Sequence, residues 1–143
     1  MIQVDKDFWR GPYPKDLQEL KNKGFVQLIS LQTGVYELVF ETKRETQNPK
    51  KYDLDFWHFP CSDIFPPKIS PVLAVLYLLR NGRKTYVHCL SGVDRTGYIT
   101  AVYQMRYLGY SYKEAVCEWK EKGRHWWFFW WAIFLKKYEM KKE

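Results

Sequence analysis

The stretch from Lys84 to Gly109 leaves this chain few ways to fold. Lys84-Thr85-Tyr86-Val87-His88 is a β-branched and aromatic run, which predicts a strand. From Arg95 to Leu108, apolar residues recur at Ile99, Val102, Tyr103, Met105 and Leu108 with roughly helical spacing, and Gly109 marks the stop. Six residues, Cys89 to Asp94, join the two, with Ser91 and Gly92 in the middle. So short a strand–loop–helix turn gathers backbone N–H groups that lack intrahelical partners into one concavity, at the positive end of the helix dipole. A tetrahedral dianion suits such a concavity.

The side chains at its mouth carry chemistry. A free cysteine thiol has a pKa of about 8.5, and a helix N-terminus or nearby cations lower it, so that the nucleophilic thiolate is present at neutral pH. Arg95, six residues after Cys89, supplies a planar fork that grips two phosphate oxygens and does not lose its proton. Thr96 puts a hydroxyl beside the sulfur, where it stabilises a departing thiolate. His88 sits behind the cysteine and can bond the loop backbone, while Gly92 and Gly97 permit tight turning and close packing.

A bare Cys-x5-Arg would say little, and a buried cysteine with a surface arginine is its bland reading. The whole segment says more, because it lies between a strand and a helix. It resembles the His-Cys-x5-Arg-Ser/Thr-Gly signature of the cysteine-dependent tyrosine phosphatase superfamily, in its small dual-specificity-like branch. Cys89, Arg95, Thr96 and Gly97 match, His88 precedes, and Gly92 stands at the usual glycine position. The resemblance implies a phosphatase that hydrolyses phosphomonoesters, phosphotyrosine and also phosphoserine or phosphothreonine in proteins, through a cysteinyl-phosphate. Leu90, Ser91, Gly92, Val93, Asp94 and Arg95 would bind the phosphate.

The rest of the chain is consistent with a tyrosine-phosphatase-like fold. Residues 7–14 read as a short strand closed by a Pro/Gly turn, and Pro14 to Lys23 as a helix with Leu17 and Leu20 inward and Gly24 as its cap. Phe25 to Leu31 is nearly continuous apolar sequence, as in a strand buried on both faces. A helix is expected from Gly34 to Asn48, a strand from Tyr52 to Phe59, and a helix over Val72 to Leu79 opened by Ser70 and Pro71. Ser111 to Glu114 is a capping box opening a helix to Lys122. Strands alternating with helices predict a three-layer α/β fold, a mostly parallel sheet of four to five strands flanked by helices. The 143 residues suffice for a single domain, 1–143.

Dephosphorylation needs a proton for the leaving oxygen. In the family resembled, the general acid lies on a mobile loop about a helix and a strand upstream of the cysteine. Asp63 stands 26 residues before Cys89, on the loop 60–70, and fits that place. Asp94 competes for the role from within the anion loop; Asp53 and Asp55, inside a strand, are poorer candidates. Arg10 reads as pairing with a carboxylate of the domain rather than with phosphate, Lys68 as a surface lysine, and Cys117 as core. Cys61 reads as a small apolar residue, with a reversible disulfide to Cys89 as the alternative.

Three cysteines without framework spacing fit a reduced, cytoplasmic setting, and Met1 to Asp7 shows no secretory signal. A net charge of +7 suits an anionic substrate. The ten apolar residues from Trp126 to Leu135 are too few to span a bilayer, which takes about twenty. They are expected to pack on the domain, with an interfacial membrane role as the alternative. No zinc or calcium spacing is present, so no metal or cofactor is expected, and a monomer is. For substrate, Leu90, Ser91 and Val93 occupy loop positions where phosphoinositide-directed relatives carry lysines, which argues against lipid. An RNA 5′-triphosphatase is the other enzymatic alternative, supported by Tyr98 and the basic balance. A non-catalytic phosphate-binding module is disfavoured, because nucleophile, arginine and acid are all present.

Overall fold

The computed structural model of the chain describes residues 1–32, 49–62, 64–89 and 92–140. The helix expected from Gly34 to Asn48 therefore lies outside the described residues. The strands are β1 (Ile2–Asp5), β2 (Phe8–Gly11), β3 (Gln27–Ser30), β4 (Asp55–His58) and β5 (Thr85–His88). They form one sheet in the order β1-β2-β5-β3-β4, antiparallel only between β1 and β2.

All four residues of β5 are buried, since β2 and β3 flank it and helices cover both faces. Its register sets Gly11, His88 and Ser30 in one row. Three parallel strands thus end together, and the chain leaves β5 at Cys89, into the crevice beyond the strands' carboxyl ends where open α/β sheets bind ligands.

The helices are α1 (Leu17–Asn22), α2 (Ile69–Leu79), α3 (Arg95–Tyr107), α4 (Tyr112–Glu121) and α5 (Trp131–Leu135). Alternation along the strands divides the core into two layers. Leu28 and Tyr86 face a small cluster with Leu17, Leu20 and Phe25 under α1, whereas Ile29 and Val87 face the large cluster built with α2, α3, α4 and α5. The expected three layers are present. Every residue of α3 from Arg95 to Met105 is buried, which is why that helix shows no clean polar stripe.

Three local expectations are corrected. β1 is not anticipated from the sequence, because its apolar/polar alternation runs for only four residues and half of it is exposed. Helix α2 begins at Ile69, with Lys68 rather than Ser70 at the N-cap and no side-chain cap. Pro71 then falls in the first turn, where a missing N–H leaves no hydrogen bond unmade. Cys117 is exposed rather than core. The inward face of α4 carries Ala115 and Trp119, one turn apart, and a residue two positions from either points to the other side. The capping box at Ser111 forms with both arms at 3.1 Å. The C-terminal tract packs only in part: Phe128, Trp131, Ala132, Leu135 and Tyr138 are buried, while Trp126, Trp127, Phe129, Ile133 and Phe134 are exposed.

Candidate active site

The site is built where β5 ends. Cys89 is buried directly after the strand, and Leu90 and Ser91 lie outside the described residues. At Gly92 the backbone adopts φ +80°, in the left-handed region. A Cβ there would sit 2.3 Å from the Gly11 carbonyl carbon and 2.6 Å from the Pro12 nitrogen, so the loop lies directly against the end of β2. Only glycine meets both demands.

Two donors fix the loop from behind. Arg10, fully buried on β2, donates from Nη2 to the Gly92 carbonyl at 2.8 Å. Trp119, buried on α4, donates its indole N–H to the Val93 carbonyl at 2.9 Å. In a planar trans peptide the carbonyl and the following N–H point in opposite directions. Holding those two carbonyls outward therefore turns the amides of Val93 and Asp94 away from Arg10 and Trp119. The expected carboxylate pairing of Arg10 is thus replaced by a bond to a loop carbonyl. Burial lowers the pKa of Arg10, opposed by the nearby charges of Cys89 and Glu118, and its Nε has no partner among the described residues. Gly97 admits α4: a Cβ there would lie 2.3 Å from the Trp119 ring.

Arg95 opens α3 and is buried, with Nη1 donating to the Cys61 carbonyl at 3.2 Å. Thr96 is fully buried, and its hydroxyl has no partner among the described residues. His88 is buried, with Nδ1 3.1 Å from the Cys89 carbonyl, and desolvation pulls its pKa down to about 4. The ring is neutral at pH 7 and bonds the backbone behind the cysteine, as the sequence suggests. Asp94 is engaged by His125, accepting its backbone N–H at 2.9 Å and facing its Nδ1 at 2.5 Å.

The upstream acid, Asp63, lies outside the described residues, but its flanks are placed. The Cys61 carbonyl is held by Arg95, Ser62 Oγ accepts the N–H groups of Ile64 and Phe65, and the Ile64 carbonyl accepts from Trp131 Nε1 at 3.1 Å. Cys61 therefore abuts Arg95. Cys61 is buried and donates to the Phe59 carbonyl; burial raises its pKa to about 11, so it remains a thiol at neutral pH. Asp55 is engaged by Arg83 at the far end of β4. Tyr98 is fully buried, edge-on to both Trp119 and Trp131, and reaches no surface. Among the described residues no cluster of ligating side chains could hold a metal.

Sequence reasoning brings Cys89, Gly92, Val93, Asp94, Arg95 and Thr96 into one turn. It misses Trp119, His125 and the true partner of Arg10. Nothing in the sequence ties His125 to Asp94.

Residues 12–126 match the family model described as dual specificity phosphatase, catalytic domain. The tyrosine-protein phosphatase vhp-1 of Caenorhabditis elegans is 33% identical over 63 residues, 41% of this chain; the match spans 10% of that relative's length. Among solved structures, Tk-PTP in its active form aligns over 94% of this chain and 92% of its own, at TM-score 0.72 and 22% identity. The core catalytic domain of the PP-IP phosphatase SIW14 from S. cerevisiae aligns over 96% and 83%, at TM-score 0.79 and 14% identity. PTPMT1 aligns over 96% and 92%, at 0.74 and 18%. These likenesses show a shared fold. With the family model covering most of the chain and including the whole Cys89–Arg95 turn, the chain belongs to the dual specificity phosphatase catalytic-domain family, a family of phosphatases.

Proposed function

We propose that this chain hydrolyses phosphomonoesters by way of a cysteinyl-phosphate on Cys89, with phosphotyrosine and phosphoserine or phosphothreonine in proteins as substrates. The observation that carries the reading is the loop held carbonyl-outward by Arg10 and Trp119, with buried Arg95 at its end. Amides of residues 90–95 and the Arg95 guanidinium receive the three equatorial oxygens, where charge gathers in the transition state. The Cys89 thiolate attacks phosphorus in line, the P–O bond to the leaving group breaks, and Asp63 gives its proton to the departing oxygen. Water then attacks phosphorus with Asp63 taking its proton, the S–P bond breaks to release phosphate, and the Thr96 hydroxyl, buried and without a partner among the described residues, stabilises the departing thiolate. The engagement of Asp94 by His125 favours Asp63 over Asp94 as the acid.

The test is turnover of p-nitrophenyl phosphate by wild type and Cys89→Ser. The serine variant should lose at least roughly 10³-fold in kcat while still binding oxyanions. An inactive wild type would make the chain a phosphate-binding module instead. Asp63→Ala should remove the limb of the pH–rate profile that reports the acid, and Asp94→Ala should leave that limb in place; the reverse result reassigns the proton donor. Phosphotyrosine, phosphoserine and phosphoinositide substrates, together with triphosphate-ended RNA, then rank the substrate classes.

A further inference from the structure

We propose that the C-terminal aromatic tract is a docking face for an anionic lipid bilayer, placed so that the phosphate site opens at headgroup level. Trp126 is 76% exposed, Ile133 70% and Phe65 65%, and Trp127, Phe129 and Phe134 are exposed beside them. At about 150–250 Å² per large apolar side chain, these six leave on the order of 700 Å² of apolar surface. The rings fall in two groups, Trp126 with Trp127, and Phe65 and Phe134 around Trp130, and exposed apolar area of this order marks an interaction surface.

Chemistry selects the occupant. From Lys120 to Glu139 the chain holds five basic residues against two acidic, with Lys136 paired to Glu139 and Lys120, Lys122, Arg124 and Lys137 in excess. Lysine is depleted from interfaces between proteins. Tryptophan beside lysine is the pairing favoured at a membrane surface, where rings sit at the headgroup boundary and ammonium groups meet anionic lipid. No helix among the described residues is long and apolar enough to cross a membrane, so attachment is peripheral.

Position gives the patch its use. Trp127 stacks on His125 with ring centroids 4.5 Å apart, and His125 holds Asp94, the neighbour of Arg95. On the other side, Phe65 meets Trp130 edge-on and belongs to the turn whose Cys61 carbonyl is held by Arg95. The exposed rings thus lie on two sides of the anion loop, and a bilayer seated on them faces that loop.

The test is co-sedimentation of the full chain with phosphatidylcholine vesicles, with and without about 30% phosphatidylserine. Binding to the anionic vesicles should be at least about tenfold tighter than to the neutral ones, and should weaken about fivefold or more on adding roughly 0.5 M NaCl. The double variant Trp126→Ser/Ile133→Ser should lose about tenfold or more in vesicle binding and keep p-nitrophenyl phosphate turnover within about twofold. Absence of binding to anionic vesicles overturns the proposal, as does equal binding to both kinds. So does a dimer in light scattering that the double variant dissolves, which would assign the face to a second copy. Selective loss of phosphopeptide turnover in the double variant, with vesicle binding unchanged, overturns it in favour of a protein partner. Vesicle binding is read without turnover, so its outcome is independent of the catalytic proposal.

Discussion

The two loops that meet at Arg95 are fastened in different ways. The loop ending at Arg95 is held from behind: Arg10 and Trp119 take its carbonyls and Gly92 lies on the backbone of Gly11 and Pro12. None of those contacts faces the anion site. The residues on either side of Asp63 are held at two carbonyls, Cys61 by Arg95 itself and Ile64 by Trp131. Each loop therefore has one buried tryptophan donating to a carbonyl, and the ring of Tyr98 stands edge-on between the two tryptophans. The first loop is fastened by groups behind it, on β2 and α4. The second is fastened at Cys61 by Arg95, the residue at the end of the first, so the two loops share that guanidinium.

The sharpest way to break this contrast is Gly92→Ala. Its φ and its contact with Gly11 leave no room for a methyl group, so we expect a loss of about 3 kcal/mol of stability in urea unfolding, together with loss of oxyanion binding. Trp119→Phe keeps the ring and strands the Val93 carbonyl. Stability should fall by about 2 kcal/mol and vanadate affinity by about tenfold, both read on one preparation. Trp131→Phe sharpens the comparison: releasing the Ile64 carbonyl should lower kcat about fivefold with vanadate affinity unchanged. An equal loss of vanadate affinity in the two tryptophan variants would show that the loops move as one.

The smallest effect concerns His88. Its pKa in the folded chain is about 4, below the ordinary value of 6.5, so the unfolded chain binds more protons between those values. Stability should fall as pH drops from 6.5 toward 4, by at most about 1.4 kcal/mol per pH unit, and be fully present above 6.5. In His88→Gln the urea midpoint should depend less steeply on pH across that window.

What the sequence discloses is what local chemistry dictates. Cys89, Gly92, Arg95 and Thr96 are readable because one short turn must bring a thiol, a tight bend and a cation to the same helix end. The β3 and β5 strands and the Ser111 capping box are readable for the same reason. Arg10 is not, because its partner is a carbonyl 82 residues away, and no pattern of side chains marks a backbone acceptor. His125 is hidden in the same manner, 31 residues from Asp94. The aromatic tract misleads because its apolar run has no polar face from which to tell the packed rings from the exposed ones. Cys117 shows the converse: residue type suggested burial where the helical angle sends the side chain outward.

One consequence follows from the pleat of β2. Phe8 and Arg10 face the large cluster, and Trp9 between them faces the small one. A slip of one position against β5 would send the guanidinium to the opposite side of the sheet and bring glycine into its place. Correct strand alignment near the amino terminus is thereby a condition for holding the loop that follows a cysteine some eighty positions later. A mispaired chain that still collapsed into a compact globule would leave the Gly92 carbonyl without its donor.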